Sequence, residues 1–216
     1  IIGEVLESTD GLGVFVRPDS PIAQATGYNP SYPNVLGSPE TVKGITMLLP
    51  IGTAQHFTAL KWLEKLGLGI TDVNMDTAQA YQALQAKQCD AVSLNVPTFF
   101  DAENDGMVQV GNLADLGTRY VDMVVANRKA VEGQPELVQK YIDCITEACA
   151  ALNADPDRAA DLFVEYLKEA GAETTRENCV SDLSRVNFIE QKDWKERSLG
   201  NFAKELGEFY INLGQL

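Results

Sequence analysis

The chain has 216 residues, of which 45% are hydrophobic, and this is enough to build a substantial core. Its formal net charge is −14, because 31 acidic residues outnumber 17 basic ones. Nucleic acids and anionic membrane surfaces are bound by basic faces, so this charge argues against both as partners. The sequence has no apolar run of about 18 residues or more, which argues against a membrane-spanning helix.

The first segment, residues 5–17, predicts a strand, a tight turn and a second strand. The turn contains Thr9 and Asp10, which are polar, and Gly11 follows them. Residues 18–44 are rich in proline and glycine and are predicted to form a long loop.

Residues 43–67 predict a buried strand that runs through a glycine turn directly into a helix. Gly52 marks the turn, and Thr53 occupies the position of an N-cap. We expect the start of this helix to point four backbone amides at one spot, those of Thr53, Ala54, Gln55 and His56. Since the positive end of the helix dipole lies behind them, the segment predicts a small anion site. The alternative is a helix end that binds only water.

From residue 45 onward, strands alternate with helices, which favours a mostly parallel sheet. The predicted strands are 45–49, 72–75, 90–95 and 107–110, and the predicted helices are 53–66, 77–87 and 98–104. After a further strand at 121–126 the chain is predicted to be helical to its end, with a last helix at about 191–213.

The sequence gives little indication of a metal site or of a catalytic nucleophile. His56 is the only histidine, which excludes a two-histidine metal site, and no GxSxG elbow accompanies it. The four cysteines fit no zinc-binding spacing and are expected to be buried free thiols. We therefore expect neither a metal ion nor a cofactor.

Two further polar residues are candidates for ligand contacts. Asn95 ends the apolar strand AVSLN, and the carboxyl ends of strands in open α/β sheets face the ligand crevice. Asp122 is a lone charge in the apolar strand YVDMVV, which is unfavourable unless it is paired or faces water in a cleft. The structural alternatives are a turn hydrogen bond for Asn95 and an ion pair with Arg119 or Arg17 for Asp122.

The segment K-G-(apolar strand)-P-x-G-T-x-x-H-F-x-x-L-x-x-L-x-x-x-G-L, followed by VNM, CDAV and a proline, resembles the substrate-binding proteins of ABC importers. The members concerned bind taurine, aliphatic sulfonates, nitrate or thiamine-pyrimidine precursors. The stretches EVLESTDGLGVFVRPDSPI and YVDMVVANR are similar to the family's hinge strand and return strand. Asn95 departs from the family, in which an aromatic residue is common at this position.

The resemblance implies an α/β fold of the periplasmic-binding-protein-like type II, with two lobes joined by hinge strands. Residues 1–40 would be a hinge strand and loop, a remnant of lobe I. Residues 41–118 would form lobe II, and 119–216 the return hinge strand and the C-terminal helices that pack on lobe I. The first lobe is then expected to be incomplete, as in a truncated chain or a proteolytic fragment; the alternative is a natural reduced form that pairs with another chain.

The function implied by the resemblance is an extracytoplasmic solute-binding component that delivers a small anionic or zwitterionic solute to ABC permease subunits. Its location would be periplasmic, or extracellular and membrane-anchored, with the signal segment absent from this chain. The implied ligand contacts are Thr53, Ala54, Gln55, His56, Asn95 and Asp122, with Thr9 and Asp10 as weaker candidates. A homodimer would cover the incomplete lobe. The alternatives are a pyrimidine-synthase-type enzyme and a ligand-sensing domain with the same fold.

Overall fold

The computed structural model describes residues 1–72, 74–76, 79–172 and 174–214, and the chain divides into two compact units. The helical unit consists of Ile1–Ser8 and Tyr120–Leu216, and the sheet unit consists of Thr9–Arg119. The segments predicted from sequence, 1–40, 41–118 and 119–216, do not coincide with these units, because residues 9–40 belong to the sheet unit.

The described elements follow each other in chain order. The strands are β1 (Gly3–Ser8), β2 (Leu12–Val16), β3 (Thr46–Leu48), β4 (Asn74–Asp76), β5 (Ala91–Asn95), β6 (Val108–Asn112), β7 (Tyr120–Val124) and β8 (Val186–Phe188). The helices are α1 (Pro21–Gln24), α2 (Pro39–Val42), α3 (Ala54–Lys65), α4 (Ala80–Gln85), α5 (Thr98–Asn104), α6 (Arg128–Gly133), α7 (Pro135–Ala154), α8 (Pro156–Glu169), α9 (Arg176–Leu183), α10 (Trp194–Arg197) and α11 (Asn201–Asn212). Short 3₁₀ turns occupy Ile70–Asp72 and Gln191–Asp193.

The sheet unit contains a five-stranded mixed sheet with the order β4-β3-β5-β2-β6. β3 pairs with β4 and β5 in parallel, whereas β2 pairs with β5 and β6 in the antiparallel direction. The prediction of a mostly parallel sheet is therefore wrong for half of the strand pairs. The reason is that β2, although the first of these five strands in sequence, lies between β5 and β6 and runs opposite to both. The predicted start of a helix at 77 lies outside the described residues.

Helices cover both faces of this sheet. Trp62 of α3 is fully buried, and its indole N–H donates to the carbonyl of Leu36 at 2.9 Å. α3 packs against β2 and β5. A second apolar cluster includes Phe15 of β2 and Phe99 of α5, whose rings meet edge to face with centroids 5.0 Å apart. The packing of α3 on β2 and β5 therefore places the start of this helix relative to the strand ends.

The helical unit is built on a three-stranded antiparallel sheet, β7-β1-β8, and α7 packs on β1 and β8. The prediction that the chain after 126 is wholly helical is wrong at β8. The predicted last helix is also interrupted, because Ser198 and Gly200 have φ angles of 54° and 86° between α10 and α11. A left-handed residue ends a helix, and Gly200 then precedes the start of α11.

A buried ion pair ties the C-terminal segment to β1. Glu4 is only 3% exposed, and its carboxylate accepts from the guanidinium of Arg197 at 3.3 Å and from the amide of Gly200 at 3.2 Å. Arg197 also donates to the carboxylate of Glu7. The indole N–H of Trp194 donates to the carbonyl of Glu4 at 2.8 Å. Together these bonds connect the start of the chain to residues nearly two hundred positions later.

All four cysteines are free, and Cys89, Cys149 and Cys179 are buried. The prediction of buried thiols is confirmed for these three and is wrong for Cys144, which is exposed on α7. Burial raises the pKa of the Cys89 thiol to about 11. In the described part of the chain, every helix is too short or too polar to cross a bilayer.

Candidate functional site

The candidate site starts at the turn between β3 and α3. Gly52 has a φ angle of +79°, which a glycine adopts without the strain that a side chain would add, and its Cβ position is open. Thr53 is the N-cap of α3, as predicted, and its hydroxyl donates to the carbonyl of Pro50 at 2.6 Å. The turn therefore brings the chain from the sheet edge directly into a 12-residue helix.

The helix start leaves three amides for a ligand. The amide of His56 donates to the hydroxyl oxygen of Thr53 at 3.4 Å, so the prediction of four available amides is wrong for His56. The N-cap side chain accepts from this amide, as is usual for the third residue of a helix. Within the described residues, no acceptor lies within hydrogen-bonding distance of the amides of Thr53, Ala54 and Gln55. All three residues are half-buried, which lets a small anion reach them.

The buried imidazole of His56 is hydrogen-bonded to the turn. It is 2% exposed, and its Nδ1 accepts from the amide of Gly52 at 3.1 Å. That bond assigns the ring proton of the neutral imidazole to Nε2. Burial lowers the pKa of His56, so the ring stays neutral near pH 7. The proposed role of His56 as a ligand contact stays a prediction; its observed role is to position Gly52.

Asn95 and Gln55 meet at the end of β5. The side-chain amide of Gln55 donates to Asn95 Oδ1 at 2.9 Å, and Asn95 is exposed. The hydroxyl of Ser93 donates to the backbone carbonyl of Gln55 at 2.8 Å, which ties the first turn of α3 to the same strand. The strand end and the helix start therefore form one polar surface.

Thr9 and Asp10 lie at the same edge of the sheet. β2 runs antiparallel to β5, and Leu12 is directly opposite Asn95 in the strand register. The turn of Thr9 and Asp10 comes immediately before β2, so it enters the sheet at the end where β5 finishes. The structure thus groups six of the eight predicted ligand residues at this edge, Gln55 and Asn95 among them, and one more, His56, is buried next to it.

Asn112 is a residue at this edge that the sequence analysis missed. It ends β6 and pairs in register with Gly13 of β2. Its side-chain carbonyl accepts from the amide of Asp115 at 2.8 Å, and its amide group donates to Gln109 Oε1 at 3.0 Å. The same signal that identified Asn95, a polar residue at the end of an apolar strand, would have found it.

Asp122 belongs to the helical unit, where it pairs in register with Leu6 of β1. It lies on the exposed face of β7, although desolvation by the surrounding residues raises its pKa. The guanidinium of Arg17 donates to the carbonyls of Leu84 and Cys89 and contacts Asp19 at 3.5 Å, all within the sheet unit. The alternative of an ion pair between Asp122 and Arg119 or Arg17 stays a prediction. Among the described residues of the helical unit, no lysine or arginine forms an ion pair with Asp122.

The lowered pKa of His56 predicts a pH dependence of stability. The unfolded chain binds a proton at the ordinary pKa of about 6.5, whereas the folded chain resists protonation. Stability from this group is therefore fully present above that pH and is lost as the pH falls below it. We expect wild type to lose more unfolding free energy between pH 7.5 and about pH 5 than His56→Gln, which cannot be protonated there.

The measurement is urea unfolding followed by tryptophan fluorescence. Trp62 lies in the sheet unit and Trp194 in the helical unit, so both proteins carry Trp194→Phe to report the sheet unit alone. Equal pH profiles for the two proteins would show that His56 does not contribute.

Three comparisons place this chain among known proteins. A family model described as "NMT1/THI5 like" matches residues 34–159, more than half of the chain. A relative from Brachyspira hyodysenteriae, named "Putative ABC transporter periplasmic binding protein", is 34% identical over 215 residues, which are 98% of this chain and 62% of that protein. The chain belongs to the NMT1/THI5-like family, and it spans less than two thirds of this relative's length.

Solved structures confirm the predicted periplasmic-binding-protein-like α/β fold. The alkanesulfonate-binding protein SsuA from Xanthomonas axonopodis pv. citri, bound to MOPS, superposes with a TM-score of 0.68 and 16% identity, over 99% of this chain and 68% of that one. The desulfurization enzyme DSZB superposes with a TM-score of 0.61 and 15% identity, over 98% of this chain and 72% of that one. At such identities the likeness defines the fold, and an enzyme shares it.

Proposed function

We propose that this chain is part of an extracytoplasmic solute-binding protein that delivers a small organic anion to an ABC importer, with organosulfonates as the candidate class. The observation that carries the proposal is the start of α3, where three amides that have no acceptor among the described residues lie at the carboxyl edge of an open sheet. The relative from Brachyspira and the sulfonate-binding structure support it.

The net charge of the chain does not oppose this function. A helix N-terminus attracts an anion through short-range bonds and a local dipole, and each bond to a charged oxygen is stronger than a neutral one. The neutral imidazole of His56 contributes no charge near pH 7 and instead fixes Gly52. Recognition of the anion would therefore depend on backbone geometry.

Binding is favoured over catalysis by the chemistry of the site. The single histidine is buried, and its Nδ1 already accepts from the Gly52 amide. Burial raises the pKa of the Cys89 thiol, so this cysteine is a poor nucleophile near pH 7. Among the described residues, no group of His, Cys, Asp and Glu is arranged to hold a metal ion. We therefore propose a receptor over a pyrimidine-synthase-type enzyme.

Ala54→Pro tests the anion site directly. Proline removes one ligand-facing amide, yet it is well tolerated at the first position of a helix. The extended conformation of Thr53, with φ −112° and ψ 178°, is also one that a residue before proline adopts. We expect affinity for methanesulfonate to fall about tenfold or more, because a charge-assisted hydrogen bond contributes about 1.5–3 kcal/mol.

The readout is a two-dimensional ¹H–¹⁵N NMR titration at constant ionic strength, with sodium chloride as the reference salt. Methanesulfonate should shift the amides of Thr53, Ala54 and Gln55 in the wild type. The matched control Ala54→Ser keeps the amide and should bind like the wild type. Absence of shifts at these amides, or undiminished binding by Ala54→Pro, would contradict the proposed site.

For Asp122 we propose a contact with a cationic group of the ligand, because its carboxylate is exposed and partly desolvated. Taurine and propane-1-sulfonate are matched probes that differ in an ammonium or a methyl group. We expect Asp122→Asn to weaken taurine binding by about 1–3 kcal/mol and to leave propane-1-sulfonate unchanged or tighter. Equal losses for both probes would assign Asp122 a structural role only.

A further inference from the structure

The hydrogen-bonded side chains of Gln55 and Asn95 form an amide pair whose polar groups are only half used. Each amide has one carbonyl and one NH₂ group. The bond of 2.9 Å uses the NH₂ of Gln55 and the carbonyl of Asn95. Within the described residues, the carbonyl of Gln55 and the NH₂ of Asn95 have no further partner. The amide pair thus offers one acceptor and one donor.

The amide pair offers one acceptor and one donor whichever way the two amides are oriented. Nitrogen and oxygen of an amide are assigned from their hydrogen-bond partners. If both amides were rotated, Asn95 would donate to Gln55, and the pair would still present one NH₂ group and one carbonyl. Rotating only one of them would bring like atoms together and break the bond.

The backbone holds the amide pair in place. Gln55 lies in the first turn of α3, and its backbone carbonyl accepts from the hydroxyl of Ser93 at 2.8 Å. Asn95 is the last residue of β5 and is paired in register with the buried Leu12 of β2. Because both backbones are fixed, the pair loses less entropy when it binds a matching group.

The amide pair is also adjacent to the proposed anion site. The backbone amide of Gln55 is one of the three that have no acceptor among the described residues, and its side chain forms half of the pair. A small ligand whose anionic group contacts the start of α3 would therefore place its next atoms near the amide pair.

We propose that the amide pair is a specificity determinant. It selects anions that carry, close to the charged group, a neutral polar group that both donates and accepts a hydrogen bond, such as a hydroxyl or a primary amide. An apolar tail in the same place would remove water from a donor and an acceptor and satisfy neither. Sites that hydrogen-bond a substrate hydroxyl reject the analogue that lacks it. This inference rests on the proposed function, since it assumes that the anion binds at α3.

Two probes isolate the effect. 2-Hydroxyethanesulfonate and propane-1-sulfonate have the same charged group and the same chain length, and they differ in a terminal hydroxyl or methyl. We expect the wild type to bind the hydroxylated probe about tenfold more tightly. Asn95→Leu and Gln55→Met should each remove or reverse this preference while they retain the backbone amides of α3.

The control is Asn104→Leu, which makes the same replacement at an exposed asparagine at the end of α5. It should keep the wild-type ratio of the two affinities. NMR adds a direct readout, because the side-chain NH₂ signals of Gln55 and Asn95 should shift with the hydroxylated probe and much less with the alkyl one.

The outcomes separate the inference from the function on which it rests. If both sulfonates shift the amides of Ala54 and Gln55 but the wild type and Asn95→Leu have the same affinity ratio, the role of the amide pair is wrong and the anion site stands. If neither sulfonate shifts those amides, the proposed anion site is wrong, and the inference fails with it.

Discussion

Trp62→Ala is expected to lower the unfolding free energy of the sheet unit by about 3–5 kcal/mol. Trp62 is 0% exposed, and a Cβ added to either Gly37 or Gly111 would lie within 3.3 Å of its ring, so the backbone packs closely against the indole at both glycines. The replacement also removes the donor to the Leu36 carbonyl. A cavity and an unsatisfied carbonyl would then destabilise the same helix that carries the candidate site.

Urea unfolding followed by circular dichroism gives the total loss, and hydrogen exchange measured by mass spectrometry assigns it to the sheet unit. Trp62→Phe is the matched control, because it keeps most of the ring volume and removes only the N–H donor. We expect Trp62→Phe to lose clearly less unfolding free energy than Trp62→Ala. A loss below about 1.5 kcal/mol for Trp62→Ala would show that the surrounding residues collapse into the cavity.

Arg197→Met has the second large expected effect, a loss of about 3–5 kcal/mol in the helical unit. Glu4 is 3% exposed, and in the described structure its carboxylate accepts hydrogen bonds from Arg197 and from the Gly200 amide. Without Arg197, the Gly200 amide is the one donor of these two that remains for the buried charge. Removing one partner of a buried ion pair is much more unfavourable than replacing both. The double variant Glu4→Gln with Arg197→Met should therefore be more stable than Arg197→Met alone.

Urea unfolding monitored through the fluorescence of Trp194, in a Trp62→Phe background, reports this part of the molecule. Arg158→Met is the control, since it removes an exposed arginine from the same unit and should change stability by about 0.5 kcal/mol or less. Equal effects of Arg197→Met and Arg158→Met would show that the ion pair contributes nothing.

Local signals in the sequence were sufficient to predict the strand, turn and helix that build the candidate site. Thr53 as N-cap, Gly52 in the turn and the length of α3 follow from capping chemistry and apolar spacing, and the structure confirms them. The position of Asn95 at the end of β5 is confirmed for the same reason. Each of these features depends on residues within a few positions of each other.

Features that depend on distant partners could not be predicted. β8 has only three residues and exists because it pairs with β1, about 180 positions earlier in the chain. The antiparallel position of β2 depends on β5 and β6, which are far away in sequence. The bond between Gln55 and Asn95 joins a helix and a strand 40 positions apart. The periodicity of apolar residues indicates which face of a segment is buried, but it does not indicate which other segment packs against that face.

The pairing of Ser8 with Tyr120 has a consequence for protein engineering. These two residues flank the whole sheet unit, Thr9–Arg119, and they are neighbours across an antiparallel ladder. Neighbouring residues in such a ladder lie about 5 Å apart, so a short turn could join them directly. The sheet unit is thus inserted into a β-hairpin, and a single polypeptide of residues 9–119 would contain every candidate ligand residue except Asp122.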